Sequence, residues 1–400
     1  MLQALSPISY TETTFPTLQG ERTFPAFDLA KLLHTVFDPI DGCKMCMLID
    51  MDDPSKLKEF SFLEEDGYPV QKKAYEVFYQ AFHEGGLLEK LGLTGGEIFA
   101  YKTTGGSNLE LPEVATDLHG NEVNLVEDVY KPYDLILCTS DFSATAPLTA
   151  HAKKYHFRGS TMHGLNDIIV KSGLSVDYNT VSAEAEKLRL GLTQADKVEI
   201  DYEIAGKCYT LTLILSGQEA QKSHGLCHGR EPDIANLPAG EVYFVPTGAE
   251  GIFPMQYEED PDTIALQHVK EGRIVDVEFL FGNPSTVEAH KEKLISDPVT
   301  GEIGELGLGT QILPFCGADI QDEKTLGTVH VATGRSDHLG GHLVPEMFAE
   351  AQNASHDDIL FHPKKTTSIG VKQVRWFKGD REEIIIENYQ PSAYIRGLLD

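Results

Sequence analysis

The chain has 400 residues, of which 41% are hydrophobic and 24% charged, a composition typical of a globular protein. This length predicts more than one domain. The formal net charge is −29, from 62 acidic against 33 basic residues. Nucleic acid and anionic membranes are therefore excluded as expected partners, because such a surface would repel both.

The sequence predicts a cytoplasmic protein. Its first residues, "MLQALSPISYTETTFP", contain neither a basic segment nor an apolar one, so no signal peptide is expected. No apolar run approaches the roughly 20 residues that span a bilayer. The cysteines are dispersed, as in a reducing compartment where thiols stay free. They are Cys43, Cys46, Cys138, Cys208, Cys227 and Cys316.

The first half of the chain alternates between predicted helices and strands. In order, the pattern predicts a helix at 30–38, a strand at 44–51, a helix at 71–85, strands at 97–102 and 133–140, and helices at 146–157 and 181–192. Such alternation indicates a mostly parallel sheet covered by helices. Residues 1–190 are therefore predicted to form an α/β domain.

The pattern changes to alternating apolar and polar residues at about position 195. "KVEIDYEI" and "CYTLTLIL" flank "AGK", which predicts a hairpin. Further strands are predicted at 241–246, 273–281, 328–333, 356–361 and 382–387, with one clear helix at 285–295. Residues 191–400 are therefore predicted to form a β-rich α+β domain.

Two short motifs resemble metal or redox sites but have simpler explanations. "CKMC" (43–46) has the spacing of a redox or zinc motif, yet no second pair lies near it, which favours two core thiols. "HGLCHGR" (224–230) gathers His224, Cys227 and His228 in a Gly-rich loop, where chance clustering is the simpler explanation.

"ASHDDILF" (354–361) places His356 and Asp358 two residues apart at the start of a predicted strand. Side chains at i and i+2 of a strand share one face, so an imidazole and a carboxylate would lie side by side. This pair suits a divalent metal, and it also suits a surface salt bridge.

Other acidic and imidazole residues of the second half could complete a metal site. Each also has a structural interpretation, as a strand start, a loop carboxylate or a satisfied core histidine. Together, four carboxylates and two imidazoles have the composition of a pair of co-catalytic metal ions. The candidate ligands are Glu241, Glu305, Glu323, His330, His356 and Asp358.

The blocks that contain these residues resemble those of the thermophilic-type metallo-aminopeptidases, the family of aminopeptidases T and S and PepS. The similar blocks are "NLPAGEVYFVP", "GELGLGT", "DEK", "VHVATG" and "SHDDILF", in the family's order over about residues 195–361. The resemblance assigns the six candidates as ligands of two divalent ions, expected to be zinc, cobalt or manganese. It implies a homodimeric metalloprotease of the aminopeptidase type that acts on short peptides.

In that hydrolase, a metal-activated water would attack the scissile carbonyl. Glu305 or Asp358 would bridge the two ions, and Glu241 or Glu323 would carry the proton to the leaving amine.

The chain departs from the peptidase pattern at Asp337, where the family has a tyrosine. An ionised carboxylate cannot donate a hydrogen bond to an oxyanion, as a phenol can. His338 or Arg335 could replace the tyrosine, or Asp337 could bind a cationic group such as a free α-amine. A metal-dependent binding protein without turnover is a further alternative.

The 2,5-dihydroxypyridine dioxygenases are a second group with related features. They keep the terminal His-x-Asp pair, which corresponds to His356 and Asp358, but have a histidine at the position of Glu305. Their single Fe(II) uses two histidines and one carboxylate. The carboxylate-rich ligand set of this chain favours the hydrolase, with the mononuclear iron dioxygenase as the alternative.

Overall fold

The structure is a computed structural model that describes residues 10–84 and 86–400. The chain divides into two compact units. Among the described residues, the first comprises residues 10–16 together with Glu21–Ser182 and His224–Ala239. The second comprises Thr17–Gly20, Ala183–Ser223 and Gly240–Asp400.

The strands are numbered here in chain order. They are β1 (Thr13–Thr17), β2 (Gly20–Phe24), β3 (Lys44–Met51), β4 (Thr94–Lys102), β5 (Val114–Asp117), β6 (Glu122–Asn124), β7 (Leu135–Ser140), β8 (Arg158–His163), β9 (Lys197–Ile204), β10 (Lys207–Ile214), β11 (Gln221–Ser223), β12 (Ile234–Asn236), β13 (Glu241–Phe244), β14 (Gly248–Gln256), β15 (Ile264–Lys270), β16 (Arg273–Phe281), β17 (Ile303–Gly309), β18 (Val329–Gly334), β19 (His356–Phe361), β20 (Gly370–Lys378), β21 (Arg381–Glu387) and β22 (Gln390–Pro391).

The α-helices are α1 (Leu29–Phe37), α2 (Pro69–Ala74), α3 (Gln80–Glu84), α4 (Leu87–Lys90), α5 (Thr145–Tyr155), α6 (Asp167–Lys171), α7 (Tyr178–Leu192), α8 (Pro284–Ser296), α9 (Asp319–Asp322) and α10 (Ala393–Leu399). Short 3₁₀ segments lie at Pro54–Glu64, Pro298–Gly301, Asp337–Leu339, Pro345–Met347 and Ala351–Asn353. Two π-helical turns lie at Tyr75–Tyr79 and Leu125–Tyr130. Among the described helices, none combines the length and apolar composition that a membrane span requires.

The first unit contains a seven-stranded sheet in the order β12-β8-β7-β3-β4-β5-β6. The pairs from β12 to β4 are parallel, and β5 and β6 add antiparallel strands at one edge. The central strand β3, "KMCMLIDM", is buried along nearly its whole length, as in parallel sheets covered on both faces.

The second unit is built from antiparallel sheets. One has eight strands in the order β16-β15-β14-β10-β9-β20-β21-β22, and the other has five in the order β11-β13-β17-β18-β19. The expected mixture of helix and strand, with a β-rich C-terminal portion, is confirmed. The predicted boundary near residue 190 stays a prediction about domain arrangement.

Several elements differ from the predicted pattern. The helix predicted at 71–85 contains a π-helical turn at Tyr75–Tyr79 between α2 and α3. Strand β8, "RGSTMH", was not predicted, because small and polar residues carry little strand preference by themselves. The strand is instead stabilised by its pairing with β7 and β12 and by its burial in the sheet.

The two faces of the five-stranded sheet have opposite chemistry. Val242, Leu306, Val331 and Ile359 are buried in the large hydrophobic core of the second unit. Because strand side chains alternate between faces, the intervening residues of the same strands project from the opposite face. Those intervening residues include the charged and imidazole side chains of the candidate site.

Candidate metal centre

Strand pairing places five of the six candidate residues on one face of the five-stranded sheet, whereas Glu323 directly follows α9. Glu305 on β17 lies opposite Ala332 on β18, and Ala332 lies opposite Asp358 on β19. In the next row, Gly307 lies opposite His330. Strand pairing therefore brings together residues that are far apart in the sequence.

Small residues form the floor of this face. A Cβ atom added to Gly307 would overlap the imidazole of His330 and the carboxylate of Glu241, and something would have to move. Ala332 occupies the centre of the row between Glu305 and Asp358 with only a methyl group. The lack of bulk at these two positions makes room for the larger side chains to converge.

His356 is held at both ring nitrogens. Its Nδ1 donates a hydrogen bond to the backbone carbonyl oxygen of Arg335 at 2.6 Å. Its Nε2 lies 2.9 Å from Oε2 of Glu305 and 3.3 Å from Oδ1 of Asp358. Asp357, the intervening residue, instead accepts a hydrogen bond from Ser355.

Glu241 and Glu323 share a buried lysine. Nζ of Lys324 lies 2.5 Å from Oε2 of Glu241 and 2.6 Å from Oε1 of Glu323. The Lys324 side chain is only 2% exposed. The second oxygen of Glu241, Oε1, lies 2.9 Å from Nε2 of His330. The second unit therefore contains a continuous cluster of alternating positive and negative groups.

The buried charged groups of the cluster strongly shift one another's pKa values. Burial would raise the pKa of Glu305, but hydrogen bonds from His330 and His356 lower it to about 2. Burial raises the pKa of Glu323 to about 8, against the lowering effect of Lys324. Burial would lower the pKa values of both histidines, yet the adjacent carboxylates raise them well above the usual value. Without a metal, protons on these imidazoles compensate part of the carboxylate charge.

The residues fit a metal ion by the type and spacing of their donor atoms. Three groups each offer ligand atoms that all lie within 4.8 Å of one another: Glu241, Glu305 and His330; Glu305, His356 and Asp358; and Glu323, His330 and Asp358. In addition, the buried oxygens Oε1 of Glu241 and Oδ1 of Asp358 face imidazole nitrogens, at 2.9 Å from Nε2 of His330 and 3.3 Å from Nε2 of His356 respectively. Carboxylate oxygens and imidazole nitrogens are the donors that divalent ions such as zinc bind. The cluster could therefore hold a metal.

Asp358 is the most exposed of the six candidate ligands. The side chain of Asp358 is 28% exposed, whereas those of the other five candidate ligands are 6% exposed or less. A separate surface depression of about 570 Å³ is lined by residues such as Val245, Gly272 and His342 and includes none of the six candidates. Of the six candidate ligands, Asp358 is therefore the one with the most access to solvent.

The remaining predicted catalytic residues lie on the 3₁₀ turn after β18. The Asp337 carboxylate accepts a hydrogen bond from Nε of Arg335 at 2.7 Å. Burial would raise the pKa of Asp337, but His338 and Arg335 together hold it well below the usual range. His338 packs edge-on against His356, with 4.9 Å between ring centroids. Burial lowers the pKa of His338, which favours a neutral imidazole. Arg335 thus already provides a cationic partner for Asp337.

The weaker motifs do not form metal groups. Cys46 is buried within β3, and burial raises its pKa. In the "HGLCHGR" loop, Sγ of Cys227 contacts the backbone oxygen of Asp233, and Nε2 of His228 contacts that of Thr35. None of these side chains belongs to a metal-ligand group found among the described residues.

Sequence reasoning missed two parts of the cluster. The first part is Lys324, which lies in "DEK" beside Glu323. Its position between Glu323 and the apolar "TLGTV" was the available signal for a buried lysine. The backbone carbonyl of Arg335, which orients His356, leaves no signal in the sequence because any residue supplies a carbonyl.

Comparisons with known proteins identify a shared fold but no family. No known protein-family profile matches the chain, and no curated protein matches it. A solved 2,5-dihydroxypyridine dioxygenase from Pseudomonas putida KT2440 has a similar structure, with a TM-score of 0.52 and 13% sequence identity. The similarity covers 88% of this chain and 92% of that chain. At this identity the match shows a common fold.

The predicted reaction class is corrected by this comparison. The sequence blocks predicted an aminopeptidase-like hydrolase, but the solved protein that shares the fold is a dioxygenase, which is an oxidoreductase. The prediction of a hydrolase is therefore wrong, and no finding supports the aminopeptidase assignment. The predicted homodimer, the cytoplasmic location and the number of metal ions stay predictions.

Proposed function

We propose that this chain is a mononuclear Fe(II)-dependent dioxygenase that cleaves the ring of a hydroxylated aromatic or N-heterocyclic compound. The observation that carries the proposal is the group formed by Glu305, His356 and Asp358, which lies on one face of a sheet in a dioxygenase-like fold. Three protein ligands with further positions left open are the arrangement that non-haem Fe(II) oxygenases use.

The proposed ligand set has one departure from the usual two histidines and one carboxylate. Glu305 supplies a second carboxylate, and the second imidazole in reach is His330, whose Nε2 lies 3.7 Å from Oε1 of Glu305 and 3.8 Å from Oδ1 of Asp358. His330 is therefore close enough to act as a fourth ligand after small side-chain movements.

Iron bound by these residues would supply activation of O₂ and orientation of the substrate oxygen atoms. The protein would supply the enclosure, because the candidate ligands other than Asp358 are nearly inaccessible to water. Substrate would enter on the side of Asp358, where the cluster is exposed.

His338 is suited to accept a proton from a substrate hydroxyl. Its ring lies against His356, and its buried Nδ1 lies 4.0 Å from Oδ1 of Asp337. Asp337 would then stabilise the imidazolium that forms. Asp337 is a positioning residue in this scheme, because its carboxylate contacts Arg335 and His338.

The test is oxygen consumption by protein reconstituted anaerobically with Fe(II). The panel comprises 2,5-dihydroxypyridine, catechol, gentisate and hydroquinone, with loss of ring absorbance recorded in parallel. We expect O₂ uptake and ring loss in equal amounts with at least one compound, and neither after His356→Ala. Iron-loaded protein that consumes no O₂ with the whole panel would contradict the proposal.

A further inference from the structure

The buried lysine of the cluster occupies a position that a cation would otherwise take. Carboxylate oxygens of Glu241 and Glu323 approach Nζ of Lys324 at 2.5 and 2.6 Å. A metal ion bound to the same two oxygens would lie at a similar distance from them, about 2.0–2.2 Å for zinc. Such an ion would therefore overlap the ammonium group.

We propose that Lys324 is a built-in cation that fills the second metal position and limits the cluster to one metal ion. This inference rests on the metal-binding part of the proposed function and is independent of its oxygen chemistry. It also explains how a ligand set with the composition of a two-metal site serves a mononuclear centre.

The three candidate ligand groups differ in their relation to Lys324. Two of them contain Glu241 or Glu323, the carboxylates that the lysine contacts. The third group, Glu305, His356 and Asp358, contains neither. The ammonium therefore contacts a carboxylate of two of the groups and none of the third.

Charge balance supports the same assignment. The cluster has four carboxylates: Glu241, Glu305, Glu323 and Asp358. One divalent ion together with the Lys324 ammonium supplies three positive charges against at most four negative ones. A second divalent ion would add two more within contact distance of the ammonium, where like charges in a buried site repel strongly.

The fixed position of the lysine makes this competition effective. Its backbone carbonyl accepts a hydrogen bond from Gln311 at 2.9 Å, and its side chain is buried with the carboxylates it contacts. An ammonium tethered in this way is present at a constant local concentration, whereas a second metal must be drawn from solution.

The experiment measures metal stoichiometry without oxygen or substrate. Purified metal-free protein is dialysed to equilibrium against Zn²⁺ or Mn²⁺, and bound metal is measured by elemental analysis. We expect one ion per wild-type chain and two per chain for Lys324→Met. Adding Glu241→Gln to Lys324→Met should return the value to one ion.

A matched control is available in the first unit. Lys73 also lies between two carboxylates, Glu76 and Asp167, with its Nζ 2.7 Å from Oδ1 of Asp167, and belongs to none of the candidate metal groups. Lys73→Met should leave the stoichiometry at one ion. A second ion in this variant would contradict the site-specific role of Lys324.

Electron paramagnetic resonance of Mn²⁺ in the wild-type protein keeps the test independent of variant folding. A magnetically isolated ion at saturation supports the proposal, whereas a coupled pair overturns it. An unchanged single ion in folded Lys324→Met, or in Lys324→Gln if the methionine variant does not fold, also overturns it. Wild-type protein that binds no ion would instead defeat the proposed metal centre itself.

Discussion

Nδ1 of His356 donates a hydrogen bond to the backbone carbonyl oxygen of Arg335 across a distance of 2.6 Å. A carbonyl can only accept, so this contact places the proton on Nδ1 and directs Nε2 towards Glu305 and Asp358. Metal-binding histidines are usually oriented by such a partner on the other nitrogen. The backbone of the β18 turn therefore prepares His356 to act as a ligand.

Glu305→Ala should abolish metal retention. Glu305 contacts His356 and lies in two of the three ligand groups, so its loss removes a donor from both groups. Substitution of a residue that only hydrogen-bonds to a metal ligand lowers metal affinity by roughly 10–100-fold. Loss of the ligand Glu305 should therefore lower the affinity by at least about 100-fold. Metal affinity by competition with a chelator measures the effect.

Glu302→Ala is the control for the Glu305 substitution. Glu302 lies just before the same strand, but its carboxylate pairs with Arg273 and His342 outside the cluster. This variant should bind metal like the wild type. A Glu305→Ala protein that still retains metal would show that the assignment of Glu305 is wrong.

Gly307→Ala should weaken metal binding although it changes no ligand. The added methyl group would overlap His330 and Glu241, so the imidazole must leave its position in the cluster. Overpacking of this kind usually costs about 1–3 kcal/mol of stability. Gly248→Ala is the control, because a methyl group there meets only ordinary contacts with Ile214 at 3.8 Å or more. Equal metal affinity and thermal stability of the two variants would refute the space requirement.

Removal of metal should lower the melting temperature of the protein. The carboxylates of Glu241, Glu305, Glu323 and Asp358 repel one another, and a ligand that binds only the folded state stabilises it. Metal at 100 times its Kd stabilises by about 2.7 kcal/mol, which corresponds to roughly 5–10 °C for a unit of this size. Differential scanning calorimetry with and without a chelator measures the shift. The Glu305→Ala protein should show little shift, and an unchanged wild-type melting temperature would argue against a metal at this site.

The fold was predictable where local patterns are strong. Strand β3 has a continuous apolar run, and β9 and β10 alternate around a turn, so both patterns gave nearly the observed bounds. Strand β8 lacked such a pattern. The return of residues 224–239 to the first unit was also beyond local reasoning, because it depends on pairing between β12 and the distant strand β8.

The candidate site could be predicted from the sequence only in part, for a related physical reason. The period of a strand indicates that His356 and Asp358 share a face, but no local rule places Glu305 in the same row. That row depends on the order of β17, β18 and β19, and on an irregularity between Ile303 and Glu305 that shifts the register. The burial of Lys324 was not predicted, because it depends on tertiary packing and because lysines are usually exposed.

Asp50 should make the stability of the first unit depend on pH. This carboxyl is 1% exposed at the end of β3, and burial, aided by the charge of Asp141, raises its pKa to about 6. In the unfolded chain its pKa would be about 3.9. Between pH values of about 4 and about 6, the Asp50 carboxyl is protonated in the folded state and ionised in the unfolded state. The contribution of Asp50 to stability therefore falls as the pH rises through this range and is constant above it.

Asp50→Asn should therefore stabilise the protein at neutral pH. Asparagine keeps an oxygen that can accept from Gln71 and from the backbone N–H of Asp141, which now contact Oδ1 of Asp50 at 2.9 Å, and it carries no charge. The free energy of unfolding should exceed the wild-type value by about 1–3 kcal/mol at pH 7, and the difference should vanish near pH 4. Urea unfolding followed by circular dichroism across this range measures it, with the exposed neighbour variant Asp52→Asn as control. A difference that is the same at pH 4 and pH 7 would show that the buried charge of Asp50 is not the cause.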